Sequence, residues 1–188
     1  MLRRERRHAT LADAFRLLLM NYAFPVYDVF NNLTLRKDIS LDSDSFVFDK
    51  ETGQYRSNFL YVSESNDLTT EFMRKAVYEY GRYLRYSLAI GCDGRDWHDV
   101  LAQMVGFDRS ANAEPSTDTP FRELLHPKMT SATLGPKTAL RLLGEFDAWD
   151  ERAKEFADAE FYLAFWWLRC CFGHAAKGGA VQMNWVTA

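Results

Sequence analysis

Residues 68–90 carry the strongest periodicity in the chain. Placed at about 100° per residue, Phe72, Met73, Ala76, Val77, Tyr80, Tyr83, Leu84, Ser87 and Leu88 gather on one side. Glu71, Arg74, Lys75, Tyr78, Glu79, Arg82, Arg85 and Tyr86 gather on the other. Such segregation predicts an amphipathic helix, with Asp67 as N-cap and Gly91 as the residue that ends it. The apolar side of a helix this long must be covered, and further helices are the expected cover.

The same spacing recurs elsewhere. Thr10, with Asp13 three residues on, opens a helix whose inner face is Leu11, Ala14, Phe15, Leu18, Leu19 and Tyr22. Pro25 ends or kinks it, and Val26, Val29, Phe30 and Leu33 predict that it resumes to about Leu35. Residues 93–105 read as a helix with Trp97, Val100, Leu101 and Met104 inward and Gly106 as its stop. A helix from Pro136 turns Ala139, Leu142, Leu143, Phe146 and Trp149 inward, and a last one opens near Asp150. Residues 161–172 are apolar nearly all round, which predicts a central, fully surrounded helix. Residues 180–186 read as a terminal strand or arm.

One stretch differs. Around residues 45–63, aromatic and β-branched residues flank Lys50-Glu51-Thr52-Gly53, the pattern of a small antiparallel hairpin. The expected fold is therefore mainly α: a single-domain bundle of about five to seven helices with that one hairpin. It occupies residues 9–188 behind a basic tail, residues 1–8, containing Arg3, Arg4, Arg6 and Arg7.

At 188 residues the chain can bury a core without metals or disulfides. A net charge of −3 supplies no global field to draw it to nucleic acid or anionic lipid. Asp13 and Arg16 interrupt the apolar stretch that a secretory leader would need. Cys92, Cys170 and Cys171 are then expected to be reduced thiols in a cytoplasmic setting. No run reaches the roughly 18–20 apolar residues of a membrane span.

The first candidate site is a stripe on the polar side of the 68–90 helix: Arg74, Tyr78, Arg82 and Arg85, flanked by Lys75 and Tyr86. Guanidinium forks grip carboxylates or phosphates, and tyrosines add flat apolar area beside them. An acidic protein partner is expected, with nucleic acid second because the chain itself is acidic. The plainer alternative is a solvated face with intrahelical pairs such as Glu71 with Lys75 and Glu79 with Arg82.

Arg169 and His174 stand in an R-x4-H spacing close to the end of the chain. That spacing resembles the active-site motif of the HEPN family of helical ribonucleases. The resemblance implies metal-independent cleavage of RNA, with His174 as acid or base and Arg169 on phosphate. Read without it, Arg169 snorkels from the core and His174 meets the dipole of a helix end.

Other clusters are weaker. Cys170 and His174 have a zinc-chelating i, i+4 spacing but lack the further ligands zinc requires. Asp93, Asp96, His98 and Asp99 are explained by helix capping. The acids Asp38, Asp42, Asp44, Asp49 and Glu51 read as a solvated loop. Neither metal nor cofactor is expected.

The composite expectation is a small cytoplasmic protein-binding or inhibitor protein, acting by stoichiometric binding. An immunity-type or anti-defence factor of bacterial or phage origin suits its size and charge. The alternatives are the helical ribonuclease and a structural or assembly subunit that uses its surplus of aromatic residues to associate.

Overall fold

The computed structural model describes residues 23–38, 47–49, 54–56, 59–63, 68–87, 96–109, 113–129, 132–156 and 159–187. The basic tail and the first expected helix, up to Tyr22, lie outside these residues. In chain order the elements are β1 (Ala23–Asn31), β2 (Thr34–Arg36), β3 (Val47–Asp49), β4 (Gln54–Arg56), β5 (Phe59–Tyr61), β6 (Val77–Glu79) and β7 (Arg82–Ser87). They continue as α1 (Trp97–Val105), α2 (Arg122–Leu125), β8 (Thr133–Leu134), α3 (Pro136–Phe156), α4 (Ala159–Ala175) and β9 (Ala180–Thr187).

This is a mixed helix and sheet fold, which overturns the expected helical bundle. An antiparallel four-stranded sheet has the order β7-β1-β9-β8, and a three-stranded one the order β2-β6-β5. Two segments read as helix are strands. Val26, Tyr27, Val29 and Phe30 lie in β1, the most extensively paired strand of the larger sheet. Residues 68–90 contain β6 and β7, joined through Tyr80 and Gly81. Valine and tyrosine favour the pleated strand, and Gly81 interrupts any helix there. The helical wheel was satisfied by coincidence, because the segment spans two strands with a turn between them. The Gly81 amide donates to the Asn31 carbonyl at 3.0 Å, tying that turn to the end of β1.

The hairpin is present as β3 and β4, with Phe48 opposite Tyr55. Its expected second arm does not continue, however: Leu60 in β5 pairs with Tyr78 of β6 in the three-stranded sheet.

Side chains on β1 alternate between two environments. Tyr27 and Val29 enter the larger core with α1, α3, α4 and the inner residues Val181 and Met183 of β9. Phe146 is its hub, edge-on to Phe165 at 4.7 Å and to Phe121 at 4.9 Å between ring centroids. Phe30 belongs to a smaller core with Ala180, Leu60, Val62 and Tyr78. Helix α3 runs unbroken past Asp150, where a new helix was expected. Helix α4 buries Phe161, Phe165, Leu168 and Phe172 on one side alone. It is not the fully surrounded helix its composition predicts, since Leu163, Trp166 and Trp167 are exposed.

Capping fixes the helix starts. The Asp96 carboxylate accepts the His98 amide at 2.7 Å, and Gly106 closes α1 in the left-handed conformation at φ 75°. The Lys137 and Thr138 amides of α3 donate to the two oxygens of Glu71 at 2.6 and 2.9 Å. Gly179 leads α4 into β9 so close to β1 that a Cβ there would lie 2.4 Å from the Phe30 carbonyl oxygen. No helix among the described residues is long and apolar enough to cross a membrane.

Candidate functional site

The expected basic and tyrosine stripe does not form a single face. Arg74 and Lys75 are exposed in the turn before β6. Tyr78 is buried in β6, where its hydroxyl accepts the Met73 amide at 3.2 Å and its ring meets Phe72. On β7 the side chains alternate, so Arg82, Leu84 and Tyr86 share one side and Tyr83 and Arg85 the other. The intrahelical pairs are likewise replaced: Glu71 caps α3, and Glu79 pairs with Arg36 at 2.6 Å.

The helix side of β7 forms the most distinctive surface. Tyr86 stacks on Trp167 at 5.6 Å, and Trp167 meets Trp166 edge-on at 5.2 Å. Leu163 is 54% exposed, Trp166 42%, Trp167 43% and Leu84 52%. Leu163, Trp167 and Cys170 follow i, i+4, i+7 spacing along α4, so they line one stripe. Strand β7 ends the sheet order, with β1 its one neighbouring strand among the described residues. Among the described residues, an edge without a partner strand thus adjoins an apolar patch, with Arg82 exposed at the start of that edge. Burial pushes the Tyr86 phenol and the Cys171 thiol beneath this patch up to about 12. Cys171 is buried and packs in the core as a small apolar side chain.

On the opposite side of the sheet, Asp28 is 3% exposed and fully engaged. Its Oδ1 accepts the Tyr83 hydroxyl and Arg85 Nε, each at 2.7 Å. Its Oδ2 accepts Arg85 Nη2 at 3.1 Å and Asn184 Nδ2 at 2.9 Å. Burial, and then the bond to Asp28, push the Tyr83 phenol well above its ordinary value. A carboxylate with four donors holds its neighbours in place and has no lone pair left to act as a base.

Arg169 and His174 are five residues apart on α4, about 140° round a helix, so their side chains diverge. Arg169 Nε donates to Asp147 at 2.5 Å, and His174 is exposed in the last turn. No group of three metal-ligating side chains occurs among the described residues. Asp96 and His98 do come together, with an unforeseen partner: His98 Nδ1 lies 2.9 Å from Asp96 Oδ1, and Nε2 lies 2.6 Å from the Tyr27 hydroxyl. The Tyr27 hydroxyl is buried completely, which drives its proton affinity far up, with the Asp96 charge adding to the effect. This chain of three braces α1 against β1.

Asp28, Tyr83, Asn184 and the tryptophan pair were missed from sequence. A lone aspartate inside the apolar run 24–30 and two adjacent tryptophans were the available signals. Comparison with protein-family models, curated proteins and solved structures found no match.

Proposed function

We propose that this chain works by binding another protein through the edge of β7 and the adjoining patch of α4. The carrying observation is the cluster Leu163, Trp166, Trp167 and Leu84, four large apolar side chains each at least 42% exposed, on and beside a strand whose outer edge has no partner strand among the described residues. Water-exposed indole rings lose little entropy on docking and bury much apolar area, which is why tryptophan dominates the energetics of interfaces. A partner with an acidic rim fits, since Arg82 stands on the same side of β7 as Leu84 and Tyr86. Stoichiometric inhibition in the cytoplasm, of the immunity or anti-defence kind, is the form of binding that suits the chain's size and charge.

The test is affinity capture from native lysate with the wild-type chain beside Trp166→Ala and Leu84→Glu. A partner held at one-to-one ratio by the wild type should bind at least about 30-fold more weakly to Trp166→Ala, the effect of losing a central aromatic anchor. Identical capture by all three, with their melts unchanged, removes this surface from consideration. A second reading, self-assembly, draws on the same strand edge and apolar patch. It predicts concentration-dependent sedimentation that Leu84→Glu abolishes.

A further inference from the structure

Strand β7 stands at one end of the sheet order, and no strand pairs with its outer edge among the described residues. Arg82, Tyr83, Leu84 and Arg85 are all exposed, so both faces of the strand reach the surface there. The backbone N–H and C=O groups of such an edge can take up one more strand. Its side chains decide which one.

The run Arg82-Tyr83-Leu84-Arg85-Tyr86 is its own complement when laid antiparallel against a second copy about Leu84. Leu84 then lies opposite Leu84, Tyr83 opposite Arg85, and Arg82 opposite Tyr86. Every flanking pair sets a guanidinium against a phenol ring. The geometry of that contact already exists within one strand, where the Arg85 guanidinium carbon lies 5.8 Å from the Tyr83 ring centroid. Arg85 brings no uncompensated charge to the axis, because Asp28 of its own chain holds it through two hydrogen bonds. Other registers lose this match. Sliding two residues one way sets Arg85 against Arg85; sliding two the other way sets Arg82 against Leu84 and Arg85 against Gly81. A slip of one residue sets Leu84 against Arg85 or Tyr83 and turns the helices of the two copies to opposite faces.

We propose that a second copy of this chain occupies the β7 edge, with the two β7 strands paired antiparallel about Leu84. Two four-stranded sheets then join into one of eight, in the order β8-β9-β1-β7-β7-β1-β9-β8. Directly opposite residues point to the same face, so the helices of both copies cover one side of the joined sheet. Leu163, Trp166 and Trp167 of each copy are displayed on that side, a bivalent surface for a further protein. This pairing rests on the self-assembly reading of the edge and fixes its register.

Sedimentation of the full chain at several concentrations tests it. The wild type should dimerise. Leu84→Glu and Leu84→Arg should each weaken the dimer at least about tenfold, because like charges then meet on the axis. Mixed one to one, the two variants should recover the lost association, which damage to the fold could not do. Leu84 is 52% exposed, so neither change enters the core, and melting temperatures should stay at the wild-type value. Mild oxidation followed by peptide mapping reads the register. Leu84→Cys should form a disulfide between the two copies of position 84, whose Cα atoms stand about 4.5–5.5 Å apart, within bridging range. Arg82→Cys should not, since the two copies of position 82 are separated by about 14 Å along the strand. A wild type monomeric at about 100 μM, a dimer indifferent to both charges, no recovery on mixing, or cross-linking at 82 as ready as at 84 overturns the pairing. A monomer that still captures a foreign protein through Trp166 overturns this pairing alone. A dimer whose capture ignores Trp166→Ala overturns the foreign-partner reading alone.

Discussion

Tyr27 and Asp28 are neighbours on β1, yet they anchor two buried polar systems built in different ways. Tyr27 reaches His98 and, through it, Asp96: a linear chain in which each link depends on the next. Asp28 instead collects four donors from three residues on two flanking strands. Tyr27 and His98 are buried, so a partner lost between them leaves a polar atom without water, while Asp96 at the end of the chain is partly exposed. The cluster adjoins a cavity, and its Arg85 side chain is half exposed. A serial network is brittle and a converging one is tolerant, so the two sides of one strand should respond differently to equivalent damage.

The largest effect should come from the packing that encloses the serial network. Phe165→Ala is expected to cost about 3–5 kcal/mol in denaturant melts, as deep phenylalanine truncations do. A loss under about 2 kcal/mol would mean the helix side is not the main core. Next is an asymmetry within the Asp28 cluster. Arg85→Ala leaves a buried carboxylate without its counter-charge and should cost about 3 kcal/mol. Asp28→Ala should cost less, because the freed guanidinium can turn into water. The reverse order would contradict the burial of Asp28.

The contrast in tolerance is sharpest between two deletions of a single hydroxyl. Tyr27→Phe strands His98 Nε2 and should cost about 1–3 kcal/mol. Tyr83→Phe leaves Asp28 three donors and should cost less than about 1 kcal/mol by the same reckoning. Equal losses would erase the distinction.

The smallest effect is a pH dependence. Burial raises the Asp96 carboxyl, but hydrogen bonds from the His98 ring and amide, with Arg109 nearby, outweigh it, so Asp96 titrates below its ordinary value. The depressed group stabilises the fold fully above the unfolded carboxylate value of about 4 and loses that contribution as pH falls through the folded value. Melts at pH 7 and pH 3 should show a smaller acid-induced loss for Asp96→Asn than for the wild type, since asparagine caps a helix about as well as aspartate but does not titrate.

Legibility in the sequence followed local determination. Helix α1 was readable because Asp96, the inward spacing of Trp97, Val100, Leu101 and Met104, and Gly106 are all local signals that agree with the tertiary fold. Strand β9 was readable because Gly178 and Gly179 end the preceding helix. The 68–90 segment was misread because its apolar residues satisfy a helical wheel, while its true pairing depends on distant strands that no local window contains. Tyrosines at 78, 80, 83 and 86 around Gly81 favour strand, but the same residues also fit a helical period. The candidate stripe failed with the helix that carried it, although Arg82 and Tyr86 remain on one side of β7. Asp28 was invisible because its donors come from β7 and β9, and Asn184 is 156 residues away.

That separation gives the adjacent pair in β1 a role in assembly. If β1 slid by a single position between β7 and β9, the carboxylate would enter the phenylalanine layer and the phenol would face the cavity, leaving both without partners. Two consecutive side chains of opposite demand thus work as a key cut on both edges, admitting one alignment of strands whose ends must find each other across almost the whole length of the polypeptide.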